Sequence, residues 1–132
     1  MARKPAEGVH CPCGSGDDYS HCCELYIRGE CSAPTAEKLM RSRYSAYAKR
    51  VSDYLLTTWH PDTRPSRVRL DPDQRWIGLS IKSTEAGRET DESGRVEFVA
   101  RFKVAGKGHR LRENSRFKKI DGRWYYVDGE HL

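Results

Sequence analysis

The chain has 132 residues, enough for one domain and a small appendage. No apolar run approaches the ~18 residues of a membrane-crossing helix, and the opening MARKPAEGVH lacks the apolar stretch of a secretory signal. With 3 Trp, 7 Tyr and 3 Phe it is too rich in core-forming side chains for a disordered tail. The expected setting is therefore a reducing cytoplasm, where the five cysteines serve as metal ligands or free thiols rather than disulfides. The net charge of +5 arises from mild basic clusters at 64–69, 101–107 and 110–119. Acidic residues interleave these clusters, so they read as solvated strand faces.

After a flexible N-terminal stretch (1–10), four of the five cysteines fall between Cys11 and Cys23, in CPCGSGDDYSHCC. Zinc takes four thiolate or imidazole ligands in a tetrahedron. Gly14-Ser15-Gly16 supplies the chain reversal that brings Cys22 and Cys23 back towards Cys11 and Cys13. Two adjacent cysteines can share one metal at a helix start. His21 is an alternative ligand, and His10 an additional one. A metal would also order a segment that has almost no apolar core. The competing reading is a redox dithiol, with Cys22-Cys23 or Cys11-x-Cys13 as the reactive pair. Cys31 has no partner left and reads as a free thiol. The stretch 25–34 is broken by Gly29 and Pro34, and the cysteine segment and the following domain are expected to be only partly coupled.

Thr35 is the expected N-cap of a helix running from Ala36 to Arg50, with Lys38 at the capping-box position. At 100° per residue, Ala36, Leu39, Met40, Arg43, Tyr44, Tyr47 and Val51 form one stripe, and Arg41, Ser45 and Lys49 lie opposite. A second helix is expected over Asp53–Trp59, capped by Ser52 and stopped by Pro61. Beyond Pro72 the period changes to two. Ile77, Leu79 and Ile81 share a face, as do Val96, Phe98, Ala100, Phe102 and Val104. Turns are expected in 85–94, at Gly106-Lys-Gly108 and at Asp121-Gly122, with strands over 109–119 and 123–127. Helices followed by a four-stranded meander give an α+β domain, its helices packed on one face of a curved antiparallel sheet.

The cysteine segment resembles the SEC-C motif, a short zinc-binding module. That resemblance implies Cys11, Cys13, Cys22 and Cys23 as the Zn2+ ligands, with Tyr19 beside the site. Asp17 and Asp18 stand where many such modules carry lysines, which argues against docking of this segment on lipid headgroups or RNA. The match continues through Pro34–Tyr47, Asp53–Pro61, Val96–Arg101 and Glu113–Phe117, which resemble the YchJ family. The resemblance implies a zinc module over 11–30 and a cone-shaped domain over 31–132 similar to nuclear transport factor 2. It implies no activity.

One strand breaks the apolar-in rule. Glu113 and Ser115 share a face with Leu111 and Phe117, whereas Arg110, Arg112, Asn114, Arg116 and Lys118 share the other. A buried carboxylate needs a partner, and Arg43, inside the apolar stripe of the first helix, is the expected one. The bland reading is a buried ion pair that fixes helix on sheet. The functional reading is a pocket with Arg43, Glu113 and Ser115 as its polar floor and Tyr44, Tyr47, Trp59, His60 and Trp124 around it. His60 suits a helix C-terminus and is also a candidate general base, but no nucleophile is spaced to serve it, and no catalytic residue is assigned. Three functions compete: a module binding a protein partner or a small ligand, an enzyme of hydrolase or isomerase type in the cone pocket, and a nucleic-acid or ribosome binder. The first is favoured, because the basic strand face carries no interleaved aromatics. No membrane partner is expected.

Overall fold

The structure, a computed structural model, describes residues 9–132, so the flexible stretch expected over 1–10 lies almost wholly outside the described residues. A 3-10 turn at Tyr19–His21 leads into α1 (Cys23–Ile27). Helix α2 (Ala36–Lys49) starts where the sequence places it, the Thr35 side chain accepting the Lys38 amide at 3.1 Å. It stops one residue early, because Arg50 turns left-handed (φ 63°) and the Val51 amide reaches back to the Ala46 carbonyl. That reversal runs straight into α3 (Ser52–Thr57). Ser52 is therefore its first residue rather than its cap; Val51 occupies the cap position without a side-chain bond.

Four strands follow: β1 (Gln74–Ala86), β2 (Ser93–Val104), β3 (Lys107–Ile120) and β4 (Arg123–His131), antiparallel and adjacent in chain order. The β3–β4 turn is Asp121-Gly122, as expected. The β2–β3 turn is Ala105-Gly106, starting one position earlier than the Gly-Lys-Gly reading, and Lys107 and Gly108 already belong to β3. Both turns have positive φ at both central residues, a two-residue geometry whose twist matches that of the flanking strands.

The core lies between α2 and the concave face of the sheet. Ala36, Leu39, Met40 and Tyr44 of α2 meet Val96, Phe98, Ala100, Phe117 and Trp124. Strand β2 alternates as its sequence requires. Strand β1 does not: it bulges between Trp76 and Gly78 and again between Ile81 and Ser83. The first bulge leaves Ile77 50% exposed and turns Trp76 inward beside Leu79 and Ile81.

The face of α2 opposite its apolar stripe is also covered. Ser42 and Ser45 are fully buried, and the cysteine segment packs there. The Arg41 guanidinium donates to the Cys13 carbonyl at 2.8 Å, and the Lys49 ammonium lies 4.7 Å from the Tyr19 ring centroid. No helix among the described residues is long and apolar enough to cross a membrane.

Candidate metal centre and cone cavity

Cys11 and Cys13 bracket a tight turn whose Gly14 amide bonds back to the Cys11 carbonyl, and Cys22 and Cys23 stand at the entry to α1. All four side chains are buried, and their Sγ atoms lie within 4.8 Å of one another. A tetrahedron with metal–sulfur bonds of ~2.3 Å has sulfur–sulfur edges of ~3.8 Å, and Cys13 and Cys22 are 3.8 Å apart. The donor set thus fits a thiophilic, four-coordinate cation. The thiols are free of disulfides, and Cys31 is exposed and apart from them.

Charge points the same way. The Cys11 and Cys23 thiols donate towards Cys13 and hold it well below its ordinary pKa. The bonds of Cys23 to Cys11 and to Cys13 push Cys23 up, and burial pushes up Cys22. A bound cation would hold the four as thiolates. Hydroxyls flank the cluster, Ser45 Oγ 3.5 Å from Cys11 Sγ and Ser15 Oγ 3.3 Å from Cys22 Sγ.

The second feature lies on the other side of α2. A cavity of about 190 Å³ opens between α2, the Thr58–Trp59 segment and the concave sheet face. Arg43, Tyr44, Tyr47, Trp59, Glu113 and Ser115 all line it, six of the eight residues proposed from sequence. The other two do not. His60 lies outside, its Nδ1 accepting the Asp62 amide at 3.0 Å. The reason is backbone pairing: the His60 amide donates to the Tyr126 carbonyl and the Tyr126 amide to Thr58, so the segment runs along the edge of β4 with Trp59 inward and His60 outward. Trp124 is buried in the core, its indole donating to the Pro34 carbonyl at 3.1 Å.

The expected Arg43–Glu113 ion pair does not form. Arg43 Nη1 donates to the Leu55 carbonyl at 2.8 Å and to Thr58 Oγ1 at 2.7 Å, and its guanidinium lies 5.0 Å from the Trp59 ring centroid and 4.6 Å from that of Tyr126. Glu113 Oε2 accepts from Ser115 Oγ at 2.6 Å and from the Tyr126 hydroxyl at 3.2 Å. Tyr126 therefore stands between the two charges, its ring towards one and its hydroxyl on the other. Burial, reinforced by Glu113, drives the Tyr126 phenol well above its ordinary pKa.

The sequence reading missed Tyr126 and Trp76 as wall residues. Trp76 was hidden by the β1 bulge, and a register shift in β4 after Tyr126 brings both Tyr126 and Gly129 onto the concave face. At Gly129 a Cβ would overlap the Glu113 carboxylate, so only glycine leaves room for it.

Residues 35–129 match the family described as YchJ, middle NTF2-like domain, and residues 11–25 match the SEC-C motif. The chain belongs to the YchJ family. A UPF0225 protein of Chromobacterium violaceum is 55% identical over 133 residues, covering 98% of each chain. One from Streptomyces coelicolor is 48% identical over 122 residues, covering 92% of this chain and 95% of its own. Among solved structures, a SEC-C motif-containing protein from Rhodopseudomonas palustris superposes with a TM-score of 0.81 at 34% identity, covering 92% of this YchJ-family chain and 98% of that one. A second, from Psychrobacter arcticus, gives 0.76 at 27% identity, covering 93% of this chain and 82% of that one. These two solved structures, both described as SEC-C motif-containing proteins, share this fold.

Proposed function

We propose that this protein is a cytoplasmic small-ligand-binding protein whose cysteine segment is fastened by zinc. One observation carries the ligand-binding half. Arg43 and Glu113, 3% and 7% exposed, line one cavity without pairing to each other. Two buried opposite charges kept apart by a phenol leave a polar, shaped space where a plain structural ion pair would close it. The zinc half is supported by four buried thiols at tetrahedral spacing.

The same geometry weighs against the enzyme reading. Glu113 is bound by two hydroxyls, and His60 lies outside the cavity, so no acid and base converge on a common point. The basic outer face of the sheet supports a solvated role, since Arg112 pairs with Glu97 and Arg116 with Asp128.

Leu111→Trp tests the reading. Leu111 is half-buried on the cavity wall, so an indole there occupies the space with little disturbance of the fold. Small-molecule screening by ligand-observed NMR should give hits with the native chain that this variant loses. Hits retained at full strength would overturn the reading. Elemental analysis should return about one zinc per chain; metal-free protein with every thiol open to alkylation would overturn the metal assignment.

A further inference from the structure

The two buried charges of the cavity are not equivalent. The protein satisfies Glu113 itself: Ser115 and Tyr126 donate to Oε2, and His131 Nε2 lies 3.8 Å from Oε1. Gly129 gives the carboxylate a fitted seat. Arg43 has no such settlement. Its Nη1 reaches only neutral oxygens, and it forms no ion pair among the described residues. The two hydrogen bonds it donates, to the Leu55 carbonyl and Thr58 Oγ1, both leave from Nη1, and its guanidinium otherwise lies against the Trp59 and Tyr126 rings. A guanidinium stays protonated even when buried. The Trp59 indole N–H on the same wall is also buried without a partner. The wall thus carries a cation that no carboxylate pairs with, since its one anion, Glu113, is held by Ser115 and Tyr126, and beside it lies an indole donor without a partner.

The rest of the lining is flat and apolar. Trp76 stands between Phe102, Tyr44 and Tyr47 at centroid distances of 5.0, 5.8 and 5.7 Å, and Phe98 and Ala100 form the sheet side. The volume of about 190 Å³ admits a single-ring molecule.

We propose that the cavity binds a small planar monoanion, an aromatic or unsaturated carboxylic acid, with its carboxylate on Arg43 and its flat body among Trp59, Trp76 and Phe98. This deepens the ligand-binding reading above and rests on it. A carboxylate matches the guanidinium fork in two parallel bonds, and the aromatic walls take the ring faces.

The test titrates the full metal-loaded chain with benzoate and cinnamate, with their neutral amides, and with benzylamine, at constant ionic strength. Binding is read from NMR shifts of the Trp59 and Trp76 indoles. The acids should bind about tenfold more tightly than the amides, the margin of a charge-assisted pair over a neutral one, and benzylamine should not bind. Arg43→Lys, which keeps the charge and loses the fork, should remove most of that margin while far-UV circular dichroism stays native. Trp59→Phe, which keeps an aromatic ring and loses the N–H, should weaken the acids more than the amides. Equal binding of acids, amides and amine at the cavity indoles would overturn the anion assignment and leave the ligand-binding reading standing. Acid-induced shifts confined to the exposed sheet arginines, such as Arg101 and Arg110, would overturn it as non-specific ion pairing. No binding by any probe would overturn both.

Discussion

Gly129 and Glu113 show how closely single residues are fitted in the cavity wall. The space a Cβ at Gly129 would take is filled by the Glu113 carboxylate, so Gly129→Ala must displace a buried charge from its two hydroxyl donors. The expected loss is about 1–3 kcal/mol, the usual cost of overpacking, seen as a lower Tm. Glu113→Ala removes the obstacle, so adding Gly129→Ala to it should cost little more, and the double-mutant cycle should be strongly non-additive. Additive losses would mean that the two residues do not share this space. Tyr126 offers a second residue-scale check. Tyr126→Phe keeps the ring beside Arg43 and deletes the bond to Glu113, so it should cost about 1 kcal/mol. Had Arg43 and Glu113 formed the direct ion pair expected from sequence, this change would have been nearly neutral.

At the scale of elements, α2 is buried on two sides by two different kinds of residue. Its apolar side was legible, because Ala36, Leu39, Met40 and Tyr44 recur at helical spacing. Its other side was not, because small serines and an arginine make it: Ser42, Ser45 and Arg41 let a second segment approach without any apolar signal. Arg41→Ala removes the bond to the Cys13 carbonyl and the ion pair with Glu37. It should speed metal loss to a chelator about tenfold, by the ~1.5 kcal/mol of a charge-assisted bond, with circular dichroism unchanged before chelation. Bulges set the other limit on legibility. Strand β2 was read correctly because it is regular, whereas one unpaired residue in β1 inverted the faces of Trp76 and Ile77. The cysteine cluster was legible as a dense, spaced run of one residue type. The cavity was legible in part, because polar residues on an inward face are rare. Which of its charges would meet depended on Tyr126, whose facing no local pattern announces.

For the molecule as a whole, two conditions probe what holds it together. The first is alkali. Burial pushes the phenols of Tyr44 and Tyr54 up to about 12, while in the unfolded chain they ionise near ~10. The folded state therefore retains protons that the unfolded state loses. This part of the stability is full below pH ~10 and is lost as pH rises towards ~12. Tyrosinate absorbance should rise late and together with loss of near-UV circular dichroism; an early, gradual rise from folded protein would contradict the burial of these phenols.

The second condition is removal of the proposed metal. From sequence, the linker over 25–34 suggests that a chelator melts the residues before about Glu24 and leaves the sheet standing. The packing requires a stronger effect. The segment covers Ser45 and the second face of α2, and Leu79 of β1 packs against the cysteine cluster. The opposite face of α2 carries the main core and Arg43. Without the metal, the four thiols have no cation to hold them together and almost no apolar core of their own. Loss of the segment would then wet Leu79 and the buried serines. The sheet and its aromatic core keep their own contacts, so the domain should remain folded but melt at a lower temperature. Uncovering even ~1 kcal/mol worth of contacts lowers Tm by about 2–8 °C in a chain of this size. Chelation followed by tryptophan fluorescence, which reports Trp59, Trp76 and Trp124 and none in the cysteine segment, should show that shift. An unchanged Tm would mean that the segment contributes nothing to α2, and unfolding at all temperatures would mean that the sheet cannot stand without it.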